Sequence, residues 1–253
     1  MELAILSLFA FLAGLVDAVV GGGGLIQLPA LLVTLPNTPL SLLLGTNKFA
    51  SCMGTTVAAL RYAGTVTIPW RTVSLSAGLA FLFSFLGARC VSHLDPGMLR
   101  PLVVVILFAV LIFTLCKPNL GKVHAPKLSH PRQLVVGALF GSIIGFYDGF
   151  IGPGTGSFLL FVFVAVIGFD FLHASACAKI INLGTNLAAL VYFIPTHNVR
   201  YELALTMGAA NMVGAYVGAH LSIERGTRFI RAFFILVVTA LLLKQIQLLL
   251  APS

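Results

Sequence analysis

The sequence predicts an all-α polytopic membrane protein of two tandem repeats, each with about four transmembrane helices. The first helix of each repeat is broken at a glycine-rich segment. Three observations predict this: a composition too apolar for a soluble domain, a series of apolar runs of helical length, and a self-match between the two halves. Of 253 residues, 59% are hydrophobic and only 9% charged, and mean hydropathy is +1.06. A soluble domain carries about 25% charged residues, because it must cover its surface with polar groups. A lipid bilayer removes that need.

The apolar runs in the first half lie at 3–20, 25–35, 40–60, 72–91 and 98–116; those in the second lie at 134–151, 157–169, 172–194, 203–221 and 230–250. About 20 residues span the ~30 Å hydrocarbon core as a helix. Most runs reach that length, but 25–35 and 157–169 do not. None alternates with the period of two that a barrel strand requires. The run at the N-terminus follows Met1-Glu2-Leu3 and has no basic segment before it, so it reads as a retained helix, not a cleaved signal. Four crossings per half make the repeats parallel and five make them inverted. The shortness of 25–35 favours four, with a half-helix or re-entrant segment as the second member.

Between the halves lies the one long polar stretch, 117–132, containing Lys117, Lys122, Lys127 and Arg132. The division is therefore a first transmembrane repeat at 1–116, a basic linker at 117–132 and a second repeat at 133–253. The net charge of +8 reflects basic residues flanking spans, not nucleic-acid binding. The linker is placed in the cytoplasm, and the protein in a bacterial cytoplasmic (inner) membrane as a multi-pass chain. Its partners are the lipid bilayer and a small anionic substrate, and a homo-oligomer is compatible with the sequence. Cys52, Cys90, Cys116 and Cys177 show no metal-ligand spacing, which suits helix packing better than redox chemistry. No pair of the six histidines has ligand spacing either. No metal and no cofactor is expected.

Displacing the sequence by 131 residues lays "GLVDAVVGGGG" at 14–24 on "GFYDGFIGPGT" at 145–155. Gly14 then meets Gly145, Asp17 meets Asp148, Gly21 meets Gly152, Gly23 meets Gly154 and Lys48 meets Lys179. Further on, "GAR" at 87–89 meets "GAH" at 218–220, and Arg100 meets Arg231. A shift of one residue adds "GTTVAALRY" at 54–62 on "GTNLAALVY" at 184–192. Chance matches of Leu and Val are cheap in apolar sequence, but coincident Asp, Lys and Gly are not. Internal repeats with interrupted helices mark secondary transporters, whose sites lie at the repeat interface near mid-membrane. Irregular backbone at that depth must be enclosed by protein or line a water-filled cavity.

The site expected from this pattern begins with the two breaks. Gly22, Gly23 and Gly24, and Gly154, Thr155, Gly156 and Ser157, would open half-helices with free N–H groups and positive dipole ends turned to the cavity. The whole of Gly21–Gly24 and of Gly152–Gly156 is expected to be non-helical, the two lying near each other. Asp17 and Asp148 sit a turn before the breaks, where a carboxylate can cap the next half-helix or serve as a proton-coupling or gating group. Lys48 and Lys179 can snorkel, but their helical neighbours point elsewhere. Lys48, Ser51 and Thr55 form one polar stripe, and Lys179, Asn182 and Asn186 form its counterpart. Two stripes of a cation with hydrogen-bond donors suit an anion better than lipid. Asn47 and Asn211 are suited to helix–helix hydrogen bonds, and Asn47, beside Lys48, is also counted with the anion site. Arg61, Arg89 and Arg100 read as interfacial. No nucleotide loop and no hydrolytic arrangement is present, so the protein is not expected to be an enzyme.

The residues "AGLVDAVVGGGGLIQLPALL", "TNK" at 46–48, "GFYDGFIGPGTGSFL", and "AK" at 178–179 followed by Asn182 resemble the TauE/SafE family. Its members are described as sulfite exporters and 4-toluenesulfonate uptake permeases. The resemblance covers nearly the whole chain. It implies a polytopic transporter of small sulfur oxyanions or organosulfonates built from two four-helix repeats. The anion follows from the residues; its sulfur follows only from the resemblance.

Together these readings describe a secondary transporter of a small anion such as sulfite or sulfoacetate. It works in export by alternating access, with proton linkage through the aspartates. A passive anion channel on the same repeats and a non-transporting membrane subunit are the alternatives. With no ATP-binding motif, energy would come from an ion gradient or from the substrate's own gradient.

Overall fold

Among the described residues, the apolar runs become helices at nearly the places their composition dictates. The structure is a computed structural model that describes residues 2–90, 108, 111–112, 114–116 and 121–250. Most of the predicted run 98–116, with Arg100, Lys117 and the repeat–linker boundary at 116–117, lies outside the described residues. The helices are α1 (Glu2–Val20), α2 (Gly24–Thr34), α3 (Leu40–Ala63), α4 (Trp70–Cys90), α5 (His130–Phe150), α6 (Thr155–Val162), α7 (Phe171–Phe193) and α8 (Tyr201–Leu250). A π-helical turn, Phe163–Ile167, extends α6. There is no strand among the described residues.

Four of these helices, α1, α4, α5 and α7, are long and apolar enough to cross a membrane. Their side chains are distributed as lipid requires. Leu8, Leu82, Leu139, Ile143 and Val191 are exposed, whereas Lys48, Asp148, Lys179, Asn186 and Gln27 are buried. Large apolar groups outside and charged groups inside invert the pattern of a water-soluble fold. The protein is membrane-embedded.

α2 has only 11 residues, and α6 has 8 with 5 more in its π-helical turn, so at 1.5 Å per residue each is no more than about 20 Å long and cannot cross alone. The predicted runs 203–221 and 230–250 are joined in α8, whose helical backbone is interrupted at Gly226 (φ 65°, ψ −161°).

α1 packs chiefly on α8, and α4 on α5, while α3 and α7 lie between and touch each other. Small residues bring these backbones together, as helix contacts in lipid favour. A methyl group on Gly145 of α5 would lie 2.6 Å from the Ala80 carbonyl oxygen of α4. Two apolar clusters, one around Phe163 and Phe171 and one around Leu31 and Phe193, flank the polar centre.

Candidate functional site

The centre is built where α1 and α5 stop. A helix end leaves its last carbonyls without partners, and in a membrane interior each must find one. At the end of α1 every one does. The Asp17 carbonyl accepts from Gly21 N–H at 2.8 Å, and the Ala18 carbonyl from the Tyr62 hydroxyl at 3.0 Å. The Val19 carbonyl accepts from Ser175 at 3.1 Å and the Val20 carbonyl from Ser157 at 3.0 Å. The Ser157 hydroxyl also contacts the Gly21 carbonyl. Hydroxyls from α3, α6 and α7 therefore make a stable helix end possible at this depth.

The break itself is narrower than the sequence suggests. Only residues 21–23 and 151–154 are non-helical; Gly24, Thr155 and Gly156 already belong to α2 and α6. Left-handed backbone at Gly21 (φ 70°), Gly152 (φ 89°) and Gly154 (φ 91°) makes the turns, and glycine adopts it without the Cβ penalty. Once the chain has turned, the following residues start a helix. The two breaks touch: a methyl group on Gly21 would overlap the backbone of Gly156, and one on Gly24 would lie 3.3 Å from Cα of Pro153.

The aspartates do not cap the half-helices. Neither N-terminus receives a side-chain cap. Each carboxylate instead meets the lysine of the opposite half of the chain. Asp148 Oδ2 lies 2.7 Å from Lys48 Nζ, at an angle that leaves that oxygen without an aligned hydrogen bond. Asp17 Oδ2 accepts from Lys179 Nζ at 2.9 Å. Two ammonium and two carboxylate groups thus neutralise one another in a water-poor setting, where an unpaired charge is strongly unfavourable. Snorkelling is excluded for these lysines, since both are buried.

Thr55 and Asn186 join the two pairs. Lys48 donates to Asn186 Oδ1 at 3.2 Å, Asn186 Nδ2 to the Thr55 hydroxyl at 3.4 Å, and Thr55 to Asp17 Oδ2 at 3.4 Å. A continuous polar path runs Asp148–Lys48–Asn186–Thr55–Asp17–Lys179.

A small cleft, partly open to solvent, lies against this path. Asp17, Asn47, Lys48, Ser51, Asp148, Asn182 and Asn186 line it from the long helices, Gly24, Thr155 and Gly156 from the first turns of α2 and α6, and Gly22, Gly23, Gly152 and Gly154 from the breaks. Most residues singled out in the sequence therefore converge on one space. Three are not part of its lining: Thr55 and Lys179 hydrogen-bond to Asp17, and the Ser157 hydroxyl is committed to backbone carbonyls. The α2 and α6 N-termini face the cleft, the arrangement in which helix ends attract anions.

Sequence reasoning missed Gln27, which is fully buried in α2. It accepts from Asn211 Nδ2 at 2.8 Å and donates to the Asn47 carbonyl at 3.4 Å, fastening the half-helix to α8 and to α3 beside Lys48. A lone amide inside "LIQLPALL" was the available signal. Gly14 and Gly54 leave the room that Asn211 occupies. Arg61 lies over the Tyr216 ring at 4.4 Å and 3.1 Å from His220 Nδ1.

The chain matches the family model described as sulfite exporter TauE/SafE over residues 6–244. It is 33% identical over 242 residues to a probable membrane transporter protein of Sinorhizobium, covering 96% of this chain and 91% of that one. A probable membrane transporter protein of Haemophilus influenzae is 33% identical over 235 residues, covering 92% and 90%. The probable membrane transporter protein YfcA of Escherichia coli is 30% identical over 235 residues, covering 93% and 86%. No solved structure matches the chain. A membrane-embedded helical chain matched almost end to end in this way belongs to the TauE/SafE sulfite exporter family of membrane transporters.

Proposed function

We propose that the protein is a secondary transporter that exports a small anion, a sulfur oxyanion or organosulfonate such as sulfite or sulfoacetate. It works by alternating access of two repeats and is linked to protons. The observation that carries this reading is the exchange of partners between halves: Lys48 with Asp148 and Lys179 with Asp17. The helix contacts support it as well. α1 packs on α8 just as α5 packs on α4, the exchange expected if α1 corresponds to α5 and α4 to the first part of α8. Sulfur and export rest on the family description.

In this mechanism the resting charges cancel. An anion entering between the α2 and α6 N-termini competes with the carboxylates for the lysines. A carboxylate that loses its cation in a desolvated site takes up a proton, so anion and proton move together. Rearrangement of the pairs, which bind the halves to each other, then accompanies the change of access.

The experiment is flux of sulfite, sulfate, sulfoacetate and taurine in proteoliposomes of the purified chain, with and without an imposed pH gradient. Saturable flux of a sulfur anion that responds to the gradient is expected. Non-saturating flux indifferent to pH would identify a passive channel. No flux by the chain alone would identify a non-transporting subunit. Either outcome overturns the proposal.

A further inference from the structure

The linker carries a second polar cluster, away from the cleft. Residues 121–128 run along the loop that precedes α7, held by main-chain hydrogen bonds. Ala125 N–H donates to the Gly168 carbonyl at 3.1 Å, Lys127 N–H to Ile167 at 2.8 Å, and Phe171 N–H to Gly121 at 3.0 Å. Lys127 Nζ adds a bond to the Ala165 carbonyl at 3.1 Å. Gly168 (φ 94°) lies so close to the strap that a methyl group there would approach Lys127 N to 3.1 Å. This fastening sets the His124 ring over Phe169 (4.7 Å between centroids) and beside His173 (4.3 Å).

Asp170 completes the group. Its Oδ1 caps α7 by accepting His173 N–H at 2.9 Å. Its Oδ2 lies 2.7 Å from His173 Nδ1 and 3.8 Å from His124 Nδ1. Capping accounts for Asp170 and places His173, but it gives no reason for a second imidazole from the linker. One ligand atom from each of His124, Asp170 and His173 lies within 4.8 Å of the other two. Ligands of a tetrahedral zinc ion, bound at about 2.0–2.2 Å, stand roughly 3.3 Å apart, so small side-chain rotations close the site.

We propose that His124, Asp170 and His173 form a binding site for a divalent transition-metal cation of the zinc type, with further coordination positions left to water. Two imidazoles and one carboxylate suit such an ion better than calcium or magnesium, which prefer oxygen ligands. His124 and His173 are part-exposed, at 37% and 27% side-chain exposure, over a buried Asp170, so a cation can enter from solution. Binding would tie the linker to α7 about two turns before Lys179, independently of what the cleft transports.

The test is titration of the detergent-purified full chain, prepared without a polyhistidine tag, with Zn²⁺ by calorimetry and by thermal unfolding. One equivalent should bind saturably and raise the unfolding temperature. His124→Gln and His173→Gln should each weaken binding by more than about a hundredfold, beyond the roughly 10–100-fold loss typical of outer-shell changes. His220→Gln, elsewhere on the molecule, should leave it unchanged. His124→Gln touches only a part-exposed linker residue, so its fold is secure even if substitution at the α7 cap is not. Absence of saturable binding by the parent, or unchanged binding by both variants, overturns the proposal.

Discussion

Lys48 of α3 and Asp148 of α5 meet at 2.7 Å, and Lys179 of α7 meets Asp17 of α1 at 2.9 Å. Each pair spans the two halves of the chain. The pairs differ in surroundings: the Asp148 side chain is 2% exposed and that of Asp17 is 17% exposed. Asp17 also accepts from Thr55 at 3.4 Å.

That difference orders the consequences of breaking the pairs. Removing one partner of a buried ion pair costs about 3–5 kcal/mol, because the other charge is left uncompensated. Lys48→Ala should approach the upper end, and Lys179→Ala the lower, since Asp17 retains Thr55 and some solvent. The doubles Lys48→Gln/Asp148→Asn and Lys179→Gln/Asp17→Asn should recover most of the loss. Thermal unfolding in detergent reads this directly, and a double no more stable than its lysine single would contradict it.

In the proposed mechanism the aspartates carry the proton linkage. Asp17→Asn and Asp148→Asn should retain anion binding but lose the response of flux to a pH gradient. Proteoliposomes with matched and unmatched pH separate the two effects. Coupling as in the parent by both variants would remove the aspartates from the mechanism.

Thr55 tests whether the two pairs work together. Thr55→Val keeps the shape and cuts the path between Asn186 and Asp17. The lost hydrogen bonds are worth about 1–3 kcal/mol in stability. Transport should fall further than anion binding, since both ion pairs survive but are no longer joined. Equal losses in binding and flux would show that the path only supports the fold.

Gly21 tolerates no side chain. Gly21→Ala places a methyl group into the Gly156 backbone at a positive φ and should abolish a monodisperse, folded protein. Gly78→Ala in α4 meets nothing within 4 Å and should be neutral or stabilising by up to about 1 kcal/mol. Ser157→Ala, which strips the Val20 and Gly21 carbonyls of their donor, should cost about 1–3 kcal/mol. Size-exclusion profiles and unfolding temperatures distinguish the three.

The sequence by itself determined the membrane-embedded helical character, most helix positions, the two breaks and the polar residues around them. Those features are local: apolar runs must lie in lipid, glycine must sit where the backbone turns, and Asp and Lys in such runs must find partners. Only the tertiary structure decided which aspartate meets which lysine, because the partners come from opposite halves and no spacing encodes their contact. It also decided that the aspartates are not caps and that Ser157 serves the end of α1. Gln27 joined the site only once α2 was seen against α8. His124 reached Asp170 and His173 only because the linker's own hydrogen bonds lay it along the start of α7. Sequence shows which groups a buried site must satisfy; packing chooses which atoms satisfy them.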